Sequence, residues 1–187
     1  MSEYLIGIDG SILLWIQENL RMDALTPAFT WITKLGNAGA VWILITIVLL
    51  CFSKTRKVGV ICLISLILNA ILCNLILKNL VGRVRPYEVL EGLKLLIPKP
   101  GDESFPSGHS ACAFAVAMVV YWKLPKCYGI PAVILASLIA FSRLYLGAHY
   151  PSDVMGGILL GIFCAWISIR IWNYFLRRKN KSAAKQR

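Results

Sequence analysis

The chain holds two histidines, His109 and His149, and each stands among groups that a phosphate site needs. His149 lies in the run Ser142-Arg143-Leu144-Tyr145-Leu146-Gly147-Ala148-His149-Tyr150-Pro151-Ser152-Asp153, four residues before Asp153. That spacing lets a carboxylate reach the imidazole. A carboxylate on the Nδ1 proton fixes the tautomer, leaves Nε2 free as nucleophile or base, and stabilises positive charge as the ring reacts. Arg143 interrupts an apolar run near its outer end. An ionisable side chain at membrane depth marks a site by default, and snorkelling to the interface is the alternative.

His109 lies in Phe105-Pro106-Ser107-Gly108-His109-Ser110, directly before an Ala-rich apolar run. Ser107 reads as a helix cap, and the amides that follow, from Gly108 on, point outward, where they can hold an anion or simply start a helix. A third segment, Lys78-Asn79-Leu80-Val81-Gly82-Arg83-Val84-Arg85-Pro86, ends a helix in a lysine, with Arg85 seven residues later and a proline after it. Lysine offers a point charge and arginine a planar fork of donors. With Arg143 they suit the three equatorial oxygens of a transferring phosphoryl group. Read alone, Lys78, Arg83 and Arg85 are also ordinary interfacial bases.

The elements that must position these groups are membrane elements. Of 187 residues 58% are hydrophobic and 16% charged, and the mean hydropathy is +0.68. That excludes a water-soluble fold of this size, because an internal core cannot absorb so much apolar side chain. Apolar runs at about 38–53, 57–80, 108–122, 128–147 and 152–175 predict five membrane helices, the third short for a span. In the first 34 residues Ile8, Ile12, Trp15, Ile16 and Leu20 suit one helical face and Asp9, Gln17, Glu18 and Asn19 interrupt it. This part lies at the interface or supplies a sixth span. Breaks fall at Pro27 and Gly36-Asn37-Ala38-Gly39. Gly157 and Gly161 form a G-x-x-x-G that predicts close helix packing. The expected architecture is all-α, a polytopic membrane helix bundle of five to six transmembrane helices, one domain over residues 1–187.

Of the 20 Lys and Arg residues behind a net charge of +11, six lie between Arg177 and Arg187. Such a tail reads as a cytoplasmic anchor at anionic headgroups, and nucleic-acid binding is not expected. The turns at 53–57 and 123–127 carry bases and no acid, which places them in the cytoplasm with the tail. The loop of about 81–107 balances four bases with four acids, and the turn around 147–151 carries only His149. Both face outward, and every polar cluster named above falls on that side. The six cysteines, without a C-x-x-C pair, read as buried thiols. Glu3 and Asp9 stand where a secretory signal would carry Lys or Arg, so no cleaved leader is expected.

Together the three polar segments resemble the signature of the type-2 phosphatidic acid phosphatase superfamily, K-x6-R-P, P-S-G-H and S-R-x5-H-x3-D. Lys78, Arg85 and Pro86 fill the first motif, Pro106 to His109 the second, and Ser142, Arg143, His149 and Asp153 the third, in the family's order. The motifs cover about 65–153. The resemblance implies that His149 attacks phosphorus to give a phosphohistidine, that Asp153 orients it, that His109 protonates the leaving oxygen, and that water then hydrolyses the intermediate. It implies too that Lys78, Arg85, Arg143, the Ser107 hydroxyl and the Gly108 amide hold the phosphoryl oxygens, with no metal and no other cofactor. The residues agree, since no separate carboxylate cluster stands ready for a two-metal site.

The partners so implied are the bilayer and a lipid phosphate. Small bacterial members similar to this chain act on undecaprenyl diphosphate, phosphatidylglycerol phosphate or phosphatidic acid, and the polyprenyl diphosphate is the first expectation. Phosphotransfer to an alcohol other than water shares the same motifs. The vanadate-dependent haloperoxidases of the family resemble soluble, much larger chains, against which the hydropathy argues. A catalytically silent membrane scaffold would usually have lost a histidine or a clamp residue, and none is lost here.

Overall fold

The computed structural model describes residues 3–185, with side chains described for residues 7–178. The expectation of no cleaved leader, which rests partly on Glu3, and most of the expected basic tail fall outside the described side chains. Every regular element among the described residues is helical. In chain order they are α1 (Glu3–Leu20), α2 (Thr26–Leu35), a 3-10 turn (Asn37–Gly39), α3 (Ala40–Cys51), α4 (Arg56–Asn69), a π-helical stretch (Ala70–Leu77), α5 (Lys78–Val81), α6 (Pro86–Val89), α7 (Gly108–Lys123), α8 (Lys126–Tyr145) and α9 (Pro151–Lys185).

Proline and glycine place the boundaries. Pro27 opens α2, Pro86 opens α6 and Pro151 opens α9, where a missing amide hydrogen costs nothing. Between α2 and α3 the backbone turns left-handed at Ala38 and Gly39, and the two helices meet at a bend of 46°.

Three described helical stretches are long and apolar enough to cross a membrane: Arg56–Val89, Lys126–Tyr145 and Pro151–Arg178. A fourth crossing exists if the bent pair Thr26–Leu35 and Asn37–Cys51 is one span. The apolar run expected at 108–122 forms α7, which has 16 residues and is short for a bilayer. Its place is central. Ala111, Ala113, Ala115 and Ala117 are wholly buried, so α4, α8 and α9 pack around it while their outer faces, including Ile67 and Leu159, remain exposed. The glycine pair does what the spacing predicted, since a Cβ on Gly157 would lie 2.5 Å from the Ser107 carbonyl oxygen and one on Gly161 2.5 Å from that of Ala111. This contact brings the start of α9, with Asp153, against the start of α7, with His109.

Helix α1 departs from the expected face. Ile8, Ile12 and Trp15 are exposed, whereas Asp9, Leu13 and Ile16 are buried. In a lipid solvent isoleucine and tryptophan can face outward at no cost, and the carboxylate is the group that must find a partner inside. The thiols also divide: Cys62, Cys73 and Cys164 are buried, Cys112 is half-buried, and Cys51 and Cys127 are exposed.

Candidate active site

The segment after α5, the loop before α7 and the corner between α8 and α9 meet over the first turn of α7. Gly82, at φ +56°, ends α5 with its amide on the Lys78 carbonyl and turns the chain into an extended stretch. Side chains alternate there, so Arg83 and Arg85 point inward and Val84 outward.

His149 is 1% exposed. Its Nδ1 lies 2.8 Å from the carbonyl oxygen of Ser104, an acceptor, so Nδ1 carries the proton and donates it. Nε2 then keeps its lone pair, and the Arg85 Nη1 faces it at 3.3 Å. The sequence expectation put the Nδ1 proton on Asp153. Here Asp153 Oδ2 stands 3.6 Å from Nδ1 and accepts instead from the Ser104 hydroxyl at 2.5 Å and the Tyr150 amide at 2.9 Å. The reason is reach: the helix starting at Pro151 turns the carboxylate back onto its own first turn, and the Ser104 carbonyl takes the nearer place. The carboxylate still lies close enough to stabilise an imidazolium. Burial pulls the ring's pKa down to about 4, against the raising influence of Asp153, so the imidazole is neutral at neutral pH.

Three buried cations face the same space. Lys78 Nζ pairs with the Asp102 carboxylate and donates to the Glu103 carbonyl at 3.1 Å. Arg85 donates to Asp102 Oδ1 at 2.6 Å, to the Asp102 carbonyl at 2.8 Å and to the Ala148 carbonyl at 2.8 Å. Arg143 donates from Nη1 to the Thr33 hydroxyl at 2.6 Å, while its buried Nε has no hydrogen-bond partner among the described residues. Burial alone would raise the Asp102 pKa, but Lys78 and Arg85 outweigh it and hold the carboxyl below its ordinary value. A carboxylate seated between two cations marks where an anion is welcome.

Lys78, Arg85, Gly108, His109, Arg143 and His149 all line one cavity of about 510 Å³. A second cavity, of about 550 Å³, shares Gly108, His109 and Asp102 with it and continues along apolar side chains of α3 and α4 such as Ile47 and Leu66. Ser107 is absent from both linings. It is fully buried, and its hydroxyl lies 3.0 Å from that of Ser110 and 3.5 Å from the Ser110 amide, as a helix cap. His109 Nε2 lies 3.0 Å from Asn37 Oδ1, across the break between α2 and α3. Gly36 is needed beside it, since a Cβ there would meet His109 Cδ2 at 2.7 Å. Among the described residues no group of three or more His, Cys, Asp or Glu converges.

The structure thus brings together Lys78, Arg85, Gly108, His109, Arg143, His149 and, one layer behind, Asp153 and Ser107. Sequence reasoning missed Ser104, Asp102, Asn37, Thr33 and Asp9, and read Arg83 only as an interfacial base. The Gly36-Asn37-Ala38-Gly39 break was a polar signal beside a span, and Asp9 was a lone acid in an apolar stretch. Both pointed inward without naming a partner.

Such an arrangement can hold a tetrahedral oxyanion between Lys78, Arg85 and Arg143 and present an unprotonated imidazole nitrogen to it. A second imidazole waits at the rim. The family model described as "PAP2 superfamily" matches residues 59–177. An undecaprenyl-diphosphatase of Sulfolobus acidocaldarius is 34% identical over 166 residues, covering 89% of this chain and 79% of that protein. A lipid A 4'-phosphatase of Bacteroides thetaiotaomicron is 29% identical over 193 residues, covering 96% of this chain and 81% of the relative. Among solved structures, a transmembrane PAP2 type phosphatidylglycerolphosphate phosphatase from Bacillus subtilis superposes with a TM-score of 0.74 at 28% identity, over 91% of this chain and 87% of that one.

Proposed function

The chain belongs to the PAP2 superfamily, and from that premise we propose that it is a multi-pass membrane lipid phosphatase working through a phosphohistidine, with undecaprenyl diphosphate as its substrate. One observation carries the mechanism: a neutral His149 with Nε2 unprotonated faces the Arg85 fork inside a cavity that also holds Lys78, Arg143 and His109. The terminal phosphoryl group takes the seat that the Asp102 carboxylate holds between Lys78 and Arg85. Arg143 and the Gly108 amide complete the clamp at the start of α7, which the Ser107 cap holds in place from behind. His149 Nε2 attacks phosphorus, the bond to the leaving oxygen breaks, and His109 gives that oxygen its proton. Burial and Arg143 pull the His109 pKa down to about 3 before substrate binds, so the ring takes up this proton as the anionic phosphate arrives beside it. His109 then takes a proton from water, which attacks the phosphohistidine and releases phosphate and free His149. The clamp supplies by itself the positive charge that a metal would otherwise bring, so the reaction is metal-independent.

The whole chain, 1–187, is one membrane-embedded domain with five to six crossings, and its site faces the extracytoplasmic side. Loop charge supports that orientation, since the acid-free basic turns and the tail belong in the cytoplasm. Cysteines placed at Lys94 and Lys181, in a background without the native six, test it: an impermeant maleimide added to intact cells labels the first and spares the second. The apolar second cavity, open to His109, supports a substrate with a long hydrocarbon tail, and the 34% identity to an undecaprenyl-diphosphatase supports the polyprenyl diphosphate. The deciding experiment is phosphate release in detergent with EDTA present, across undecaprenyl diphosphate, phosphatidylglycerol phosphate, phosphatidic acid and lipid A. Undecaprenyl diphosphate is expected to turn over fastest and EDTA to change nothing. A faster rate on another lipid overturns the substrate, and EDTA inhibition reversed by a divalent ion overturns the metal-free chemistry.

A further inference from the structure

Helix α1 lies outside all three sequence motifs, yet it sends a buried carboxylate into the groups behind His149. Asp9 is 6% exposed and accepts from Arg83 Nη2 at 2.7 Å, from the Ser152 amide at 3.0 Å and from the Ser152 hydroxyl. Arg83 donates from Nη1 to Asp153 Oδ1 at 2.6 Å and to the Ser152 hydroxyl at 2.6 Å, and its guanidinium lies over the Tyr150 ring at 3.9 Å. The Arg83 carbonyl receives the Ser104 amide at 2.8 Å. Ser104 in turn donates its hydroxyl to Asp153 and accepts the His149 Nδ1 proton on its carbonyl. Asp9, Arg83, Asp153 and Ser104 therefore form one closed set of contacts that ends on the imidazole.

We infer that Asp9 and Arg83 are positioning residues for the reaction, acting on His149 through Asp153 and Ser104. The electrostatic argument is simple. Arg83 bound to Asp153 alone would cancel most of the negative charge that an imidazolium needs nearby. Shared between two carboxylates, the same guanidinium leaves the set with one net negative charge, directed at the ring when it becomes a positively charged phosphohistidine. A buried triad of charges is a poor device for stability, because apolar side chains of similar volume often do better. Its placement behind the attacking group gives it another use.

The inference rests on the phosphohistidine reading, and the experiment separates the two. Asp9→Asn keeps the size and removes the charge. It should lower kcat about tenfold, by analogy with groups that orient a reacting ligand, while KM and inhibition by inorganic phosphate, which report the Lys78–Arg85–Arg143 clamp, stay within about twofold. Asp9→Glu should recover most of the rate. In an Asp153→Ala background, Asp9→Asn should cost nothing further, since residues acting through one partner are not additive. Leu13→Ala, a packing change on the same helix, should lower the melting temperature and leave kcat of the folded protein unchanged. Should Asp9→Asn fail to fold, Ser152→Ala removes the hydroxyl that joins Asp9 to Arg83 and should show the same kcat-only loss, smaller in size. An unchanged kcat, a loss that multiplies with Asp153→Ala, or a matching loss of phosphate affinity overturns the role of α1. Activity that survives His149→Ala would instead remove the mechanism on which the role depends.

Discussion

The two histidines line one cavity and are held in opposite ways. His149 is buried, with Nδ1 on a backbone carbonyl, an arginine at Nε2 and a carboxylate 3.6 Å away that is itself fixed by three other groups. His109 is half-buried, with Nε2 against the side-chain amide of Asn37 on a bent connection between helices. The difference matches what the two proposed tasks demand. A nucleophile must hold one tautomer and one direction through attack and departure, whereas a proton carrier must meet first a leaving oxygen and then a water at different positions.

The largest effect should come from the more fully buried histidine. His149→Ala should reduce turnover by more than about a thousandfold and abolish any acid-labile phosphoenzyme trapped on quenching; retention of a tenth of the rate would end the assignment. At the other histidine, His109→Ala should cost about a hundredfold on lipid substrates. Much of that loss should disappear on an aryl phosphate whose leaving group needs no proton, and equal losses on both substrates would show that His109 is not the acid.

A third test sharpens the contrast without kinetics. Because the chain has only two histidines, the His109→Gln variant leaves His149 as the sole imidazole for nitrogen-15 NMR. The folded-state pKa is depressed, so the neutral Nδ1–H form should persist through pH 6 and acquire a proton only as the pH falls through about 4. Titration near the ordinary 6.5 would mean that the ring is far less buried than described. The smallest effect concerns the proposed phosphate seat. Asp102 is half-exposed, at 53% of its side chain, and competes with substrate for Lys78 and Arg85. Asp102→Asn should therefore tighten inhibition by vanadate by about fivefold, the scale of one partly solvated charge pair. Unchanged or weaker inhibition would show that Asp102 builds the seat and does not compete for it.

Sequence alone revealed the residues whose type and local spacing are chemical: His149 with Asp153, Lys78 with Arg85, the capped start at Ser107. It also gave the helical runs, because hydrophobicity over a span is a local quantity. What it could not give were relations across the chain. Arg83 and Asp9 are 74 positions apart, and His109 and Asn37 are 72 apart, so neither pair leaves a spacing to read. The inward turn of Asp9 escaped for a further reason. Apolar residues mark the buried face of a helix in water, but in lipid they are at home on the outside, and periodicity no longer says which side is in. The run at 108–122 was legible as a short helix, but its central place was not, since that follows from a ring of alanines that lets other helices surround it.

The contact between Asp9 and Ser152 joins positions 143 residues apart, the first described helix to the last. During synthesis the beginning of the chain must therefore wait for its partner until almost everything else has been made. Lys78, Arg85 and His109 all emerge before His149 does, and the support behind His149 closes only when α9 arrives to meet α1. A ribosome that stalls, or a protease that clips the chain before α9, leaves a fragment with the cations of the proposed clamp but without the support behind the proposed nucleophile. Completion of the fold and completion of the proposed site are thereby the same event.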